Sequence, residues 1–180
     1  MPLVGALARD LMGDLGLADA EVAELRAALD RKDSAAVREL SGKHDALFQA
    51  LLRAAGPADK AMAALAALQL PAAAAAEMWR LATVIDLIRQ AAPGACLTVD
   101  PVEHRGVEYQ TGISFILFAK GVRGELGRGG RYEAAGPDGA PESSTGFTLY
   151  MDTVLRALPS PAPARRIFLP AGTAPEEGRR

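Results

Sequence analysis

The sequence has very few of the residues that build metal centres and disulfides. It contains one cysteine, Cys96, and two histidines, His44 and His104, in 180 residues. A single cysteine excludes an intramolecular disulfide and a cysteine-based zinc cluster. Two histidines are too few and too scattered for a metal site. We therefore expect neither a metal nor a cofactor, and we expect Cys96 to be a small buried residue at the start of a strand.

Excess charge of one sign and long apolar runs are also missing. The net charge is -2 and the pI is about 5.7, so no global positive field favours nucleic acid, and tRNA is not an expected partner. The longest uncharged run, residues 61–76, is mostly alanine and is broken by Pro71, which makes it too short to cross a bilayer. Arg9 and Asp10 interrupt the apolar stretch that a signal peptide needs. We expect a cytoplasmic protein with no membrane partner.

Residues 1–92 predict a series of helices, because they are rich in alanine and leucine and poor in β-branched residues. Asp33 or Ser34 can cap the second helix, Pro71 opens the last, and Pro93-Gly94 ends it. Apolar residues recur at helical spacing in four stripes, which we assign to the core. These stripes are Val22, Leu25 and Leu29; Val37 and Leu40; Leu47, Leu51 and Leu52; and Met78, Leu81, Ile85 and Ile88.

Strands are predicted after Gly94. Residues 97–99 and 107–118 favour β-structure, and residues 145–151 predict a strand that runs into a helix over residues 152–158. Alternation along residues 107–118 places Phe115 and Leu117 on one face and leaves the other face polar. A polar face on a strand faces either solvent or a pocket.

Glycine and proline mark the connections and the predicted domain boundaries. Residues 121–130 predict a hairpin turn and residues 136–141 a loop. We divide the chain into three parts. They are a helical region over 1–93, a sheet-containing part over 94–158, and a proline-rich linker with the first strand of a truncated further domain over 159–180. This organisation predicts a fragment of a longer parent protein.

The glycine-rich segment Gly124–Gly130 has two interpretations. It lacks the Gly-Lys-Ser/Thr ending of a phosphate loop, and it does not fit the dinucleotide fingerprint. Alone it predicts a flexible turn. Since Arg131 and Tyr132 follow directly, its glycines could also let the backbone approach a ligand closely.

Candidate functional side chains outside that segment are few. Arg105, at a strand entrance, could clamp a carboxylate with two hydrogen bonds, or could form a surface ion pair with Glu103 or Glu108. His104 and Glu103 are neighbours on a strand and would point to opposite faces, so they make no acid–base pair. We find no carboxylate dyad and no nucleophile–base pair, and we therefore predict no catalytic residue and no autonomous enzyme.

Three linked motifs resemble the histidyl-tRNA synthetase family, and most closely its non-synthetase branch, the regulatory subunits of ATP phosphoribosyltransferase. The motifs are Arg105-Gly-Val-Glu-Tyr-Gln-Thr-Gly112, Gly129-Gly-Arg-Tyr132 and Gly146-Phe-Thr-Leu-Tyr-Met-Asp152. They cover about 50 residues and occur in the family's order. The resemblance implies an α+β fold of the class II aminoacyl-tRNA synthetase type, incomplete here, with an antiparallel sheet and a helical insertion.

The resemblance also implies a histidine pocket. The implied histidine-binding residues are Arg105, Tyr109, Gln110, Gly129, Gly130, Arg131 and Tyr132. Gln110 stands where synthetases have a second tyrosine, which alters the pocket. Thr153 stands where they have an arginine that contacts ATP, and losing that cation removes about 2–5 kcal/mol of transition-state stabilisation.

The resemblance implies that the chain would be a non-catalytic regulatory subunit in histidine biosynthesis. It would activate the short-form catalytic subunit of ATP phosphoribosyltransferase and contribute to allosteric feedback by L-histidine, as part of a homo-oligomeric parent. Two alternatives stay open. One is a histidyl-tRNA synthetase fragment that activates histidine with ATP, and the other is a scaffolding module that binds no ligand.

Overall fold

The structure is a computed structural model that describes residues 17–103, 110–160, 168 and 170–172. Its described part joins a helical region to an antiparallel sheet, which is the predicted α+β arrangement. Among these residues, no helix combines the length and the apolar character needed to cross a membrane.

The described residues of the helical region form five helices, and the ends of these helices follow the predicted signals. They are α1 (Asp19–Asp30), α2 (Ser34–Ser41), α3 (Asp45–Ala54), α4 (Ala58–Ala66) and α5 (Ala72–Ala91), with a short 3-10 turn at Gly42–His44. The Asp33 carboxylate caps α2 by accepting a hydrogen bond from the Ala36 N–H at 3.1 Å. Pro71 precedes the first residue of α5, and α5 stops two residues before Pro93.

The helical region holds the hydrophobic core. The fully buried large apolar side chains are Phe48, Leu25, Leu29, Leu51, Leu65, Val37 and Val102. The predicted stripes are therefore confirmed as core except at Ile88, since their other members either are buried or pack partly buried against this cluster. Every buried hydrophobic residue among the described ones lies between positions 25 and 102.

A two-stranded ladder ties the segment after α5 back to the helices. Strand β1 (Gly56–Pro57) pairs antiparallel with β2 (Thr98–Val99). Lys32 forms an ion pair with Asp100 at 2.7 Å, and the same Asp100 oxygen accepts a hydrogen bond from the Val102 N–H at 3.1 Å. The prediction that Cys96 is buried is wrong. The ladder buries Val99, whereas Cys96 lies ahead of β2 and is exposed.

A separate three-stranded sheet follows, in the order β3-β4-β5. Its strands are β3 (Gln110–Leu117), β4 (Gly127–Ala135) and β5 (Pro141–Leu149), all antiparallel, with an irregularity in β3 between Gln110 and Ser114. Helix α6 (Met151–Ala157) comes after β5, as predicted. The predicted loop over 136–141 is shorter than expected. The reason is that Pro141 begins an edge strand, where a missing N–H costs no ladder hydrogen bond.

The prediction of a turn over residues 121–130 is wrong in its second half. Only Gly121 and Gly124 have the positive φ of turn glycines, at 79° and 92°. β4 begins at Gly127. Its glycines at 127 and 129 leave room for atoms of the neighbouring strands to approach closely. A Cβ on Gly129 would lie 2.6 Å from Phe147 Cβ and 2.7 Å from Phe115 Cζ.

Candidate functional site

The structure places five of the seven predicted site residues in the three-stranded sheet. Arg105 and Tyr109 lie outside the described residues. Gln110 begins β3, and its backbone pairs with that of Tyr132. The other predicted residues, Gly129 to Tyr132, are consecutive in the central strand β4. The three motifs therefore meet in one sheet.

Strand alternation separates the four β4 residues into two pairs. Arg131 shares a face with Gly129, and its Nε donates a hydrogen bond to the Ser143 hydroxyl at 2.7 Å. Tyr132 shares the opposite face with Gly130. The side chains of Arg131 and Tyr132 therefore do not converge, and a ligand beside Tyr132 could reach Arg131 only through its backbone.

We call the second surface the Tyr132 face. Its members, read from the strand register, are Ser114, Ile116, Arg128, Gly130, Tyr132, Ser144, Gly146 and Thr148, so the face predicted to be polar also carries the apolar Ile116. The Tyr132 phenol lies over Gly146, where a Cβ would come within 3.2 Å of Cε1 and 3.3 Å of the hydroxyl oxygen. Ser114, Gly130 and Gly146 stand side by side across the three strands. Because all three are small, the sheet has a shallow floor there, bounded by one aromatic ring.

A charged cluster lies at the α6 end of this face. The Arg128 guanidinium donates from Nε and Nη2 to the Glu125 carboxylate at 2.8, 2.8 and 2.6 Å. The hydrogen bonds to Glu125 raise the pKa of Arg128 against a smaller opposing effect of burial, and the charges of Glu125 and Tyr150 raise it further. Because Glu125 neutralises the guanidinium, Arg128 is not a ready anion-binding group. Sequence reasoning missed this pair, and its only signal was an acid and a base three residues apart around Gly127.

Thr153 lies in the first turn of α6 and is 5% exposed. Its hydroxyl accepts a hydrogen bond from Arg156 Nη2 at 2.8 Å, and Arg156 also reaches the Asp152 carboxylate at 3.3 Å. A buried hydroxyl with a partner is a stable arrangement. In the part of the chain that the structure describes, no group of three or more acidic, histidine or cysteine side chains could hold a metal ion.

A family model described as histidyl-tRNA synthetase matches residues 4–154. The chain belongs to the histidyl-tRNA synthetase family. This match covers the helical region, the sheet and the first turn of α6, so the similarity to the family extends well beyond the three motifs.

Within this family, the chain is similar to proteins named ATP phosphoribosyltransferase regulatory subunit. The one from Rhodospirillum centenum is 55% identical over 166 residues, which are 92% of this chain and 42% of the relative. The one from Paramagnetospirillum magneticum is 58% identical over 149 residues, 83% of this chain and 38% of the relative. The chain thus spans about 40% of the length of these relatives.

A solved structure supports the fold. The crystal structure of an ATP phosphoribosyltransferase regulatory subunit/histidyl-tRNA synthetase from Bacillus halodurans matches with a TM-score of 0.67 at 20% identity. The match covers 88% of this chain and 42% of that one. The predicted fold, a partial class II synthetase-like α+β arrangement, is confirmed by this match and by the family model.

Proposed function

We propose that this family member is a non-catalytic regulatory partner of an ATP phosphoribosyltransferase catalytic subunit, at the first step of histidine biosynthesis in the cytoplasm. The observation that carries the proposal is the environment of Thr153. Synthetase catalysis would place an arginine there, by resemblance, to contact ATP. This chain instead has a buried hydroxyl bonded to Arg156. The names of its relatives support the same function.

We propose further that L-histidine is the regulatory ligand and that it binds on the Tyr132 face. The Tyr132 ring, which covers Gly146 and lies beside the small residues Ser114 and Gly130, offers a flat surface against which an imidazole could stack. Arg105 would clamp the carboxylate, and Tyr109 and Gln110 would contact the imidazole. Gly129 and Arg131 would shape the site through the backbone of β4 and would not contact histidine with their side chains, because their side-chain positions belong to the opposite face.

Feedback would follow from differential binding. Histidine would favour one state of the assembly with the catalytic subunit over another, with a coupling free energy of about 1–3 kcal/mol. The same coupling requires that the catalytic subunit change the affinity for histidine by an equal factor.

Calorimetric titration of L-histidine into the purified chain tests the ligand. Arg105→Ala and Tyr132→Ala are the disruptive variants. Glu133→Ala is the matched control, because Glu133 is the next residue of β4 and lies exposed on the opposite face. We expect saturable binding that both disruptive variants weaken by about tenfold or more and that the control retains. Binding that survives both disruptive variants would place histidine elsewhere.

Mixing the chain with the catalytic subunit tests the partner. We expect a complex whose transferase activity responds to L-histidine and no ATP–pyrophosphate exchange by the chain. Complex formation without a histidine response would favour the scaffolding alternative. Histidine-dependent ATP–pyrophosphate exchange would favour the synthetase alternative.

A further inference from the structure

The three-stranded sheet contributes no side chain to the hydrophobic core. Between residues 110 and 160, the buried positions that the structure describes are four glycines and Thr153. Every buried apolar side chain of the described chain belongs instead to the helical region and the short ladder. A sheet needs an apolar face packed against another layer to be stable. Within the described residues, β3 comes close to α5, yet no described apolar side chain of the sheet is buried, so a packing layer is missing.

The missing layer belongs on the face opposite Tyr132, which we call the Phe147 face. Its apolar part consists of Phe115, Leu117, Gly127, Gly129, Phe147 and Leu149, and Arg131 and Thr145 continue the same face with polar side chains. In the register, Phe115 and Phe147 flank Gly129, and Leu117 and Leu149 flank Gly127. Because the central glycines have no side chains, the four flanking side chains close over β4. All four are exposed, and Phe147 is 67% exposed.

Helix α6 carries further exposed apolar side chains. Met151 and Leu155 are four residues apart and lie on one stripe of the helix, and the C-cap residue Leu158 follows three residues later. All three are exposed, and Leu155 is 64% exposed. Since only Tyr150 separates β5 from α6, the stripe directly continues the chain from Leu149. Seven large apolar side chains are thus exposed between residues 115 and 158. The surface of a monomeric soluble protein rarely carries so many, and they mark an interaction site.

We propose that the Phe147 face and the α6 stripe dock the part of the regulatory-subunit polypeptide that the relatives carry outside the segment matched here. The Rhodospirillum centenum relative matches 92% of this chain, yet the match covers only 42% of the relative. More than half of that polypeptide is thus joined covalently to an equivalent of this surface. A tethered segment has a high effective concentration and outcompetes a second copy of the same chain. This docking does not depend on whether the protein binds histidine.

Co-purification tests the proposal. The tagged 180-residue chain is co-expressed with the part of the Rhodospirillum centenum subunit that lies outside the matched segment. We expect an equimolar complex by light scattering. Phe147→Asp should reduce the co-purified fragment by at least about tenfold, because it buries an unpaired charge in the contact. Thr148→Asp should change it less than about twofold, because Thr148 is the next residue of β5, exposed on the opposite face.

Leu155→Asp is a second disruptive variant that leaves strand pairing intact, and circular dichroism checks that each variant folds. A fusion of the two pieces through a flexible linker removes the dependence on affinity. In the fusion, we expect amide exchange in β3 and β5 to slow relative to the chain alone. The proposal is overturned by absence of co-purification together with unchanged exchange in the fusion. It is also overturned by a complex that tolerates both Asp variants, or by a homodimer of the chain alone that Phe147→Asp dissociates.

Discussion

Arg128 holds Glu125 through a two-pronged contact, with Nε and Nη2 both within 2.8 Å of the carboxylate. The Glu125 side chain is only 14% exposed, whereas Arg128 is 37% exposed. The pair joins the segment before β4 to the first residues of that strand, and Tyr150 at the start of α6 interacts with the same guanidinium. A bidentate, partly buried contact of this kind contributes more than an ordinary surface ion pair.

Glu125→Gln should lower the free energy of unfolding by about 1 kcal/mol, because a neutral amide keeps the shape but loses the charge-assisted hydrogen bonds. Urea denaturation measures the change. Asp152→Asn is the control: its ion pair with Arg156 is exposed on both sides, so a loss under about 0.5 kcal/mol is expected. Equal losses in the two variants would contradict the role assigned to Arg128.

The same pair predicts no pH dependence from Arg128 near neutrality. Its pKa is raised in the folded state, chiefly by the hydrogen bonds to Glu125. A raised basic pKa contributes stability that is fully present below the unfolded-state pKa and is lost only as pH rises through the folded-state value. Both values lie far above neutral. The stability difference between the wild type and Glu125→Gln should therefore stay constant from about pH 6 to 9 in urea titrations.

Gly129→Ala should destabilise the chain by about 2–3 kcal/mol, because the added Cβ meets immovable atoms. It would contact the Gly146 carbonyl oxygen and lie 2.6 Å from Phe147 Cβ. Thermal unfolding followed by circular dichroism measures the loss. Gly94→Ala is the matched control, since a Cβ there has no neighbour within 4 Å, and it should stay within about 0.5 kcal/mol of the wild type. A tolerated Gly129→Ala would mean that β4 and β5 lie farther apart.

The helical region could be predicted from the sequence because its signals are local. Side chains such as Leu25 and Leu29 repeat with the helix period, and Asp33 caps α2 through a hydrogen bond within three residues. The ladder of β1 and β2 could not be predicted in this way. It joins Gly56 to Val99, and such pairing over a long separation leaves no periodic trace.

The glycines of β4 show why the site was only partly predictable. Gly127 and Gly129 look like turn residues in the sequence, yet they lie in a strand. A side chain at either position would clash with atoms of the neighbouring strands. The resemblance did imply an antiparallel sheet, and the described parts of the three motifs meet in one. It did not reveal that Arg131 and Tyr132 face opposite ways. The assignment of histidine-binding residues and the domain boundaries after residues 93 and 158 stay predictions.

Cys96 should react rapidly with a thiol reagent in the native protein, because it is exposed ahead of β2. Absorbance after addition of an aromatic disulfide measures the reaction, and Cys96→Ser should abolish it. We expect the native and urea-unfolded chains to react at rates within about tenfold of each other, since access is not the limiting step. A native thiol that reacts only after unfolding would support the original prediction of burial instead.

Thr153→Arg tests whether one residue separates this chain from synthetase chemistry. The position is buried and already adjoins the Arg156 guanidinium, so a second cation there would lose solvation beside a like charge. We expect a loss of about 2–4 kcal/mol in the free energy of unfolding, measured with urea, and no ATP–pyrophosphate exchange. Thr153→Val is the control, because it keeps the shape and removes only the hydroxyl, at a cost of about 1 kcal/mol.

Adding Arg156→Met to Thr153→Arg should recover part of the lost stability, since it removes the like charge. A stable Thr153→Arg protein that exchanges pyrophosphate would show that the ATP site survives around position 153 and would overturn the non-catalytic assignment.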